Sequence, residues 1–341
     1  MGNGNLQAGK VQVDVLMPAY NHGKYIAQAI ESFLAQEGVA ARLLIGNDAS
    51  TDDTLSIAQQ YANQYPDKIS ILSHPQNQGL IGNYKLLLEY STSPYVAILE
   101  SDDFWTDPLK LGKQITYMEA HPECGLVYTS GQFVDEQGNP LGVKQEKEGA
   151  RKRYEGAQTA TSQQNNTLLE QTLYSNPVLA VTACFRRSAF DAACNMEDFV
   201  ERKFVTFDYP VWLGLAAVSD FYVMSDITSA YRVSGSSISN NASYTKREEF
   251  MNGIDSIVNY TIERFNYSGN VTALRNERCV KHMILALAFN KFDRYSYFCK
   301  EIDPKAGIRW AVLRYIPWLF KFKKRKLIGT GALSATALAR Q

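Results

Sequence analysis

Short apolar runs alternate with amphipathic stretches along the first part of the chain. The runs at 13–17, 42–46, 69–72 and 95–99 have the length and composition of buried strands. Between the first two runs, apolar residues recur at helical spacing and mark one helix face: Tyr25, Ile26, Ala29, Ile30, Phe33 and Leu34. This alternation predicts βαβ units, and therefore an α/β fold with a mostly parallel central sheet flanked by helices.

Helix-capping and turn-forming residues predict where further helices and strands begin and end. Ser50-Thr51-Asp52-Asp53 has the composition of a capping box, which predicts that the second helix begins there. Helices are also predicted near 80–90 and 109–119, and the segment 125–134 ends in a turn rich in Gly, Asn and Pro.

The second half of the chain is less regular. Residues 141–170 are polar with few apolar anchors, and they predict a long mobile excursion with some helix near its end. An apolar run at 177–185 predicts a strand, and residues 246–300 predict helices. The expected organisation is a flexible N-terminus (1–11), an α/β domain (12–240), a C-terminal helical extension (241–303) and a basic amphipathic tail (304–341).

The composition is that of an ordinary folded protein. Of 341 residues, 45% are hydrophobic, which suffices for one large domain with an appendage or for two domains. The five cysteines show no metal-type spacing, so we expect buried thiols and a reducing, cytoplasmic location. No run reaches the roughly 18 apolar residues that a membrane-spanning helix needs, and the N-terminus lacks the apolar core of a signal peptide.

Charge is unevenly distributed, although the formal net charge is zero. Residues 304–341 hold nine of the 35 Lys and Arg and no acid, which leaves 26 basic against 35 acidic residues, about −9, in the body. The aromatic stretch 308–320 and the basic cluster 321–326 suit the headgroup region of an anionic membrane, and predict a peripheral position at the inner face of the cell membrane. A helix docked on the body is the alternative, whereas the acidic body disfavours nucleic acid as a partner.

Three carboxylates in four residues follow the apolar run 95–99. Residues 100–103, called the acidic turn below, contain Glu100, Asp102 and Asp103. They fall where a buried strand leaves the sheet, which is where open α/β sheets bind ligands. Carboxylates crowded there repel one another unless a cation compensates, and Mg²⁺ or Mn²⁺ shares such ligands with substrate phosphates. The sequence predicts a metal and diphosphate site, with an acidic turn before a helix start as the alternative.

Two other predicted strands end in distinctive motifs. Pro18-Ala19-Tyr20-Asn21 ends the first, and Asp48-Ala49-Ser50-Thr51-Asp52-Asp53-Thr54 follows the second. An acid beside an aromatic, apolar run comes later, in Phe207-Asp208-Tyr209-Pro210-Val211-Trp212. In this order, with the acidic turn between them, the motifs resemble those of the family 2 glycosyltransferases over about residues 12–240. Turn chemistry explains any one of them taken singly.

This resemblance implies a GT-A fold, with a nucleotide-binding half at 12–105 and an acceptor half at 106–240. It places the nucleotide at Pro18, Ala19, Tyr20, Asn21, Asp48, Asn83, Ser101 and Asp102. Tyr20 offers an aromatic face to a pyrimidine and Asp48 an acceptor for the imide N–H of uracil, so a uridine diphosphate sugar is the expected donor, with a thymidine diphosphate sugar as the alternative. For Asn83, an ordinary helix start is the alternative.

The resemblance also implies a cofactor, Mn²⁺ or Mg²⁺, at Asp103, Asp102 and Glu100, with Asp102 and Asp103 favoured over Glu100 as its direct ligands. The chain departs from the family pattern at two positions: Glu100 stands where many members have the first Asp, and Ser234 where many carry a His. Asp208 is the expected general base, which removes a proton from the acceptor hydroxyl in a single inverting displacement. A helix-capping role is the alternative for Asp208.

The expected function is therefore that of a metal-dependent inverting glycosyltransferase acting on a glycan or lipid-linked acceptor in surface polysaccharide synthesis. One rival is a non-catalytic nucleotide- or glycan-binding protein on the same fold. The other is a sugar nucleotidyltransferase, which needs a glycine-rich basic loop after the first strand. The segment 19–24 is too poor in glycine for that role.

Overall fold

An eight-stranded mixed sheet forms the centre of the first of two compact units in this computed structural model. The structure describes residues 12–141, 165–233 and 242–306. The chain divides at Ser234 and Gly235 into a sheet unit and a helical unit. The predicted boundary at 240, the N-terminus 1–11, Ser234 and the tail beyond 306 lie outside the described residues.

The sheet is parallel on one side and mixed on the other. Its spatial order is β3-β2-β1-β4-β7-β6-β8-β5, with β3, β2, β1 and β4 parallel and β7 antiparallel to both of its neighbours. The strands are β1 (Val13–Ala19), β2 (Ala41–Asn47), β3 (Ile69–Ser73), β4 (Tyr95–Ile98), β5 (Phe104–Trp105), β6 (Cys124–Val134), β7 (Cys184–Arg186) and β8 (Asp220–Arg232).

The crossover helices cover this sheet with their apolar faces. Ile26, Ala29, Ile30 and Phe33 of the first helix are all buried, which confirms the face predicted from their spacing. The helices of the unit are α1 (Ile26–Leu34), α2 (Thr54–Gln64), α3 (Gly79–Tyr90), α4 (Lys110–Ala120), α5 (Asn165–Tyr174), α6 (Arg187–Ala193), α7 (Met196–Glu201) and α8 (Asp208–Val218). Helix α5 confirms the helix expected near the end of 141–170, and residues 142–164 lie outside the described part of the chain.

Pro18 lies inside β1, although the sequence predicts that this proline ends the strand. It pairs with Gly46 of β2, while the pairing of β1 with β4 stops at Leu16 and Ile98. The Pro18 carbonyl accepts a bond from Ser101 Oγ at 2.8 Å, on the β4 side. Because no ladder bond is needed there, the missing N–H of proline costs nothing and β1 continues to Ala19.

Asp14 is a fully buried carboxylate at the opposite end of β1. It accepts bonds from Arg42 Nε, Ser91 Oγ and the backbone N–H groups of Thr92 and Ser93, all between 2.8 and 3.0 Å. Burial opposes ionisation, but these donors outweigh it and lower the pKa of Asp14. The carboxylate thereby joins β1, β2 and the segment that enters β4.

Two predicted elements differ from the structure. The run 177–185 is not a strand: residues 180–182 form a 3₁₀ turn, and only Cys184 and Phe185 belong to β7. The carbonyls of Val181 and Thr182 accept bonds from the side chains of Trp105 and Gln114, which replace strand partners. The predicted capping box at 50–53 does not form, because helix α2 begins at Thr54 and Asp53 makes no side-chain cap bond.

The helical unit contains α9 (Tyr244–Arg264), α10 (Val271–Ala288) and α11 (Phe292–Glu301), which confirms helices over 246–300. Among the described residues, no helix is both long and apolar enough to cross a bilayer. All five cysteines are free of disulfides, but only Cys124, Cys184 and Cys299 are buried. Cys194 and Cys279 are half-buried, contrary to the expectation of five buried thiols.

Candidate functional site

Hydrogen bonds join the loops that follow β1, β2 and β4. Ser101 Oγ bonds the Pro18 carbonyl and lies 2.7 Å from His22 Nδ1, so the acidic turn is attached to the end of β1. The Asp48 N–H donates to the Ala19 carbonyl at 3.0 Å, which attaches the end of β2 as well. Three predicted motifs therefore meet at one end of the sheet, as expected for carboxyl ends of parallel strands.

The loop after β1 is held in an unusual conformation. Asn21 and Ala49 both have positive φ angles, 55° and 56°, although neither is a glycine. Asn21 N–H donates to Ser50 Oγ at 3.1 Å, and Asn21 Oδ1 accepts from Thr51 N–H at 2.8 Å. These bonds turn the chain so that Tyr20 is 46% exposed, which leaves its ring free to cover a flat ligand.

Asp48 is buried and already holds two donors. Its carboxylate oxygens accept from the backbone N–H groups of Gln78 and Gly79 at 2.7 and 2.9 Å, so it secures the first turn of α3. A carboxylate offers about four lone-pair sites, so acceptance of a further N–H is compatible with these bonds.

Two predicted nucleotide-binding side chains are turned into the protein. Asn83 is 2% exposed and donates through Nδ2 to the Gly46 carbonyl at 2.7 Å, beneath the end of β2. Ser101 is 0% exposed, and its hydroxyl holds the loops together rather than facing a ligand. Both residues shape the site from behind, because their side chains do not reach its surface.

The carboxylates of the acidic turn are crowded and repel one another. Desolvation, together with the charges of Asp102 and Asp208, raises the pKa of Glu100 to about 8. Burial and the charges of Asp102 and Glu100 likewise raise the pKa of Asp103 well above its usual value. Asp103 Oδ1 accepts from the Arg232 N–H at 2.7 Å, while its buried Oδ2 has no partner among the described residues. A cation would relieve this repulsion.

Asp208 is the first residue of α8 and is half-buried. Its Oδ1 accepts from Thr206 Oγ1, and Asn176 Nδ2 lies 3.5 Å from its Oδ2. Desolvation raises the pKa of Asp208, although the bonds from Thr206, the Tyr209 N–H and Asn176 oppose the rise. Since its charge acts on Glu100, the structure brings Asp208 within electrostatic reach of the acidic turn.

Tyr84 is a site residue that sequence reasoning missed. Its ring stacks on Phe207, directly before Asp208, with centroids 3.8 Å apart. Burial and the charges of Glu100 and Asp208 raise the pKa of its hydroxyl well above the usual value. The neighbouring Lys85, by contrast, pairs with Glu89 and Glu197. The sequence signal for Tyr84 is its position four residues before Leu88, on the buried face of α3. That spacing predicts a core residue and gives no indication of a functional site.

The carboxylates of the acidic turn are the candidate ligands for a divalent metal. Among the residues that the structure describes, no three His, Cys, Asp or Glu side chains are arranged to hold an ion by themselves. Mg²⁺ and Mn²⁺ in nucleotide sites commonly use one or two carboxylates and take the remaining ligands from phosphates and water. The repulsion at Glu100, Asp102 and Asp103 fits that mode, and Asp102 and Glu100 are the more solvent-accessible of the three.

A pocket of about 540 Å³ lies elsewhere, in the helical unit. Within it, Asp255 accepts from Arg278 Nε and from His282 Nε2, the latter at 2.7 Å. Burial opposes ionisation of Asp255, but His282 and Arg278 lower its pKa. His282 Nδ1 is buried without a hydrogen-bond partner among the described residues, and none of the predicted site residues lines the pocket.

Residues 14–182 match the model of Glycosyl transferase family 2. The chain belongs to this family. The match covers the loops after β1, β2 and β4, whereas Asp208 lies beyond it.

Curated proteins match the same region. An uncharacterized protein of Mycobacterium tuberculosis is 35% identical over 127 residues, 37% of this chain and 37% of its own length. The putative glycosyltransferase EpsE of Bacillus subtilis is 36% identical over 127 residues, 37% of this chain and 45% of its own. The putative teichuronic acid biosynthesis glycosyltransferase TuaG of the same species is 33% identical over 132 residues, 39% of this chain and 51% of its own. The matches thus span about half or less of these family 2 relatives.

Solved structures share the fold over most of the chain. S. aureus TarS 1–349 in complex with UDP superposes with a TM-score of 0.58 and 15% identity, over 89% of this chain and 86% of that one. The mannosyltransferase PcManGT from Pyrobaculum calidifontis, in complex with GDP-Man and Mn²⁺, gives a TM-score of 0.54 and 14% identity, over 97% and 79%. The fold of this family 2 chain is therefore that of GT-A glycosyltransferases.

Proposed function

We propose that this protein transfers a sugar from a uridine diphosphate sugar to a hydroxyl group of a glycan or lipid-linked acceptor, with inversion at the anomeric carbon. The observation that carries the proposal is geometric: hydrogen bonds join the loops after β1, β2 and β4 at one end of the sheet, and Tyr84 stacks on Phe207 directly before Asp208. In an inverting displacement the acceptor hydroxyl attacks from the face opposite the diphosphate, and Asp208 would act as its base on that face.

The proposed reaction is one displacement. As the acceptor oxygen forms its bond to the anomeric carbon, Asp208 takes the hydroxyl proton and the bond from that carbon to the diphosphate oxygen breaks. Thr206 and Asn176 hold the Asp208 carboxylate in place through its two oxygens. The elevated pKa of Asp208 favours proton uptake.

Donor binding is assigned to the loops after β1, β2 and β4. Tyr20 covers the uracil ring, Asp48 lies where the imide N–H is recognised, and Asp102 with Glu100 would hold Mn²⁺ or Mg²⁺. When bound, this ion supplies positive charge at the diphosphate. Two TarS structures, in complex with UDP and with UDP-GlcNAc, support a uridine donor by fold analogy, and the complex of PcManGT with Mn²⁺ supports a divalent ion.

The acceptor and the place of action belong to the same proposal. The name of TuaG, a putative teichuronic acid biosynthesis glycosyltransferase, supports a role in surface polysaccharide synthesis. The nine basic residues and aromatic stretch of 304–341 support peripheral attachment to an anionic membrane.

The first experiment measures donor binding by thermal unfolding. We expect UDP with Mn²⁺ to raise the melting temperature of the wild type, and the Glu100→Ala, Asp102→Ala double variant to lose the metal-dependent part of that rise. Asp191→Ala is the matched control, because Asp191 is an exposed carboxylate that pairs with Arg187 on α6. An equal metal-dependent rise in all three proteins would contradict the assignment of the metal to the acidic turn.

A further inference from the structure

Arg232, at the end of β8, is a buried arginine that joins four segments around the acidic turn. It is 4% exposed. Its guanidinium donates to the carbonyls of Asp102, Asp135 and Glu136 at 2.8 to 3.2 Å, and to Gln28 Oε1 on α1 at 2.7 Å. Its backbone N–H donates to Asp103 Oδ1. Two consecutive residues of the turn are therefore fixed by one arginine.

The chemistry of these bonds is unusual for a buried cation. Among the described residues, the guanidinium bonds only neutral oxygens, three backbone carbonyls and one side-chain amide. The rings of Tyr25 and Phe104 lie 4.6 and 5.5 Å from it and shield it further. Because the arginine does not neutralise a turn carboxylate by direct side-chain pairing, the oxygens of Asp102 stay available to an external cation.

We propose that Arg232 is a positioning residue, which fixes the backbone of the acidic turn so that Asp102 faces the donor diphosphate. This inference rests on the proposed function, since it presumes that the turn binds the donor. The guanidinium fork supplies bonds in several directions at once, which a lysine ammonium at the same place does not reproduce. Loss of the fork removes the bonds that hold the carbonyls of Asp102 and Glu136 and frees the turn to move.

Arg186 on β7 provides a matched control within the same sheet. Its guanidinium also bonds neutral oxygens, those of Met118, His121, Cys124 and Tyr95, and it also lies over an aromatic ring, Tyr95. None of these partners belongs to the acidic turn or to the loops after β1 and β2. An effect of Arg232 that arises only from lost packing and hydrogen bonds should be shared by Arg186.

The experiment compares Arg232→Lys and Arg186→Lys in the full chain. Both variants are expected to melt earlier without ligand. Only Arg232→Lys is expected to raise the UDP concentration for half-maximal thermal stabilisation in the presence of Mn²⁺, on the order of 10-fold. In donor hydrolysis assays it should raise KM for the uridine diphosphate sugar more than it lowers kcat. Equal responses of the two variants in UDP binding would overturn the inference.

Gln28→Ala keeps the experiment decisive if Arg232→Lys fails to fold. Gln28 is exposed, and its removal deletes one bond to the guanidinium while leaving the charge. A rise of about 2- to 5-fold in half-saturating UDP is expected from the loss of one charge-assisted bond, and an unchanged value would count against the proposal. If the wild type itself shows no response to UDP and Mn²⁺, the proposed function fails; if the wild type responds and the variants respond alike, only the role of Arg232 fails.

Discussion

At the scale of single residues, Asp208 is the side chain on which the proposed chemistry depends. We expect Asp208→Asn to lower glycosyl transfer by about 100- to 10,000-fold, because the amide cannot accept the hydroxyl proton. Thermal stabilisation by UDP and Mn²⁺ should stay close to that of the wild type. Asp191→Asn makes the same change on an exposed surface and should transfer normally. Near-normal turnover by Asp208→Asn would remove it from the role of base.

Lys110 is a fully buried lysine beneath the same sheet, at the start of α4. Its Nζ donates to Gln114 Oε1 at 2.9 Å and lies 4.5 Å from the Trp105 ring centre. Burial lowers the pKa of Lys110 to about 7, from an ordinary value near 10.5. The unfolded chain therefore binds a proton that the folded chain lacks between these two pH values.

This difference gives Lys110 a pH-dependent effect on stability. Because the unfolded state binds more protons, the free energy of unfolding should rise from pH 7 to pH 10 by at most about 1.4 kcal/mol per pH unit from this group. Lys110→Met should remove that slope and be most favourable, relative to the wild type, below pH 7. Urea unfolding of both proteins across this range measures it. Parallel stability curves would show that the amine is charged in the fold.

At the scale of elements, the parallel half of the sheet was predictable and the other half was not. Strands β1 to β4 are mostly apolar, and their observed bounds lie within two residues of the predicted ones. The run 177–185 is equally apolar, but distant side chains satisfy its carbonyls, which periodicity does not reveal. The same limit applies to the site, where acids at strand ends were visible but Tyr84, Thr206 and Arg232 depend on long-range packing.

The junction of β2 with α3 gives a prediction at this scale. A Cβ on Gly46 would collide with Asn83 Oδ1 and approach Leu87 Cγ at 3.1 Å. We expect Gly46→Ala to destabilise the protein by about 1–3 kcal/mol, as overpacking does. Denaturant unfolding measures the cost.

Two further variants make the Gly46 prediction specific. Gly112→Ala, in α4, places its Cβ in ordinary contact, so it should be neutral or stabilising by up to about 1 kcal/mol. Combining Gly46→Ala with Asn83→Ala should recover part of the loss, since the colliding amide is gone. Strictly additive costs in the double variant would contradict this account of the clash.

At the scale of the whole molecule, the basic tail (304–341) and the acidic rest of the chain carry opposite net charge. Deletion of residues 304–341 should release the protein from anionic liposomes, because each Lys or Arg near such a surface contributes about 1 kcal/mol to binding. Co-sedimentation with neutral liposomes and at high salt provides the control, since both should weaken binding of the full chain. Undiminished binding of the truncated protein would place attachment elsewhere.

The bonds of Asp48 carry a consequence for communication across the donor site. The carboxylate at the end of β2 secures Gln78 and Gly79, and the helix that starts there places Tyr84 against the acids one turn later. A ligand group that pulls Asp48 away from those amides would release the start of α3, the helix that carries Tyr84. Binding of the nucleobase would then change the position of α3, and with it the surroundings of the sugar.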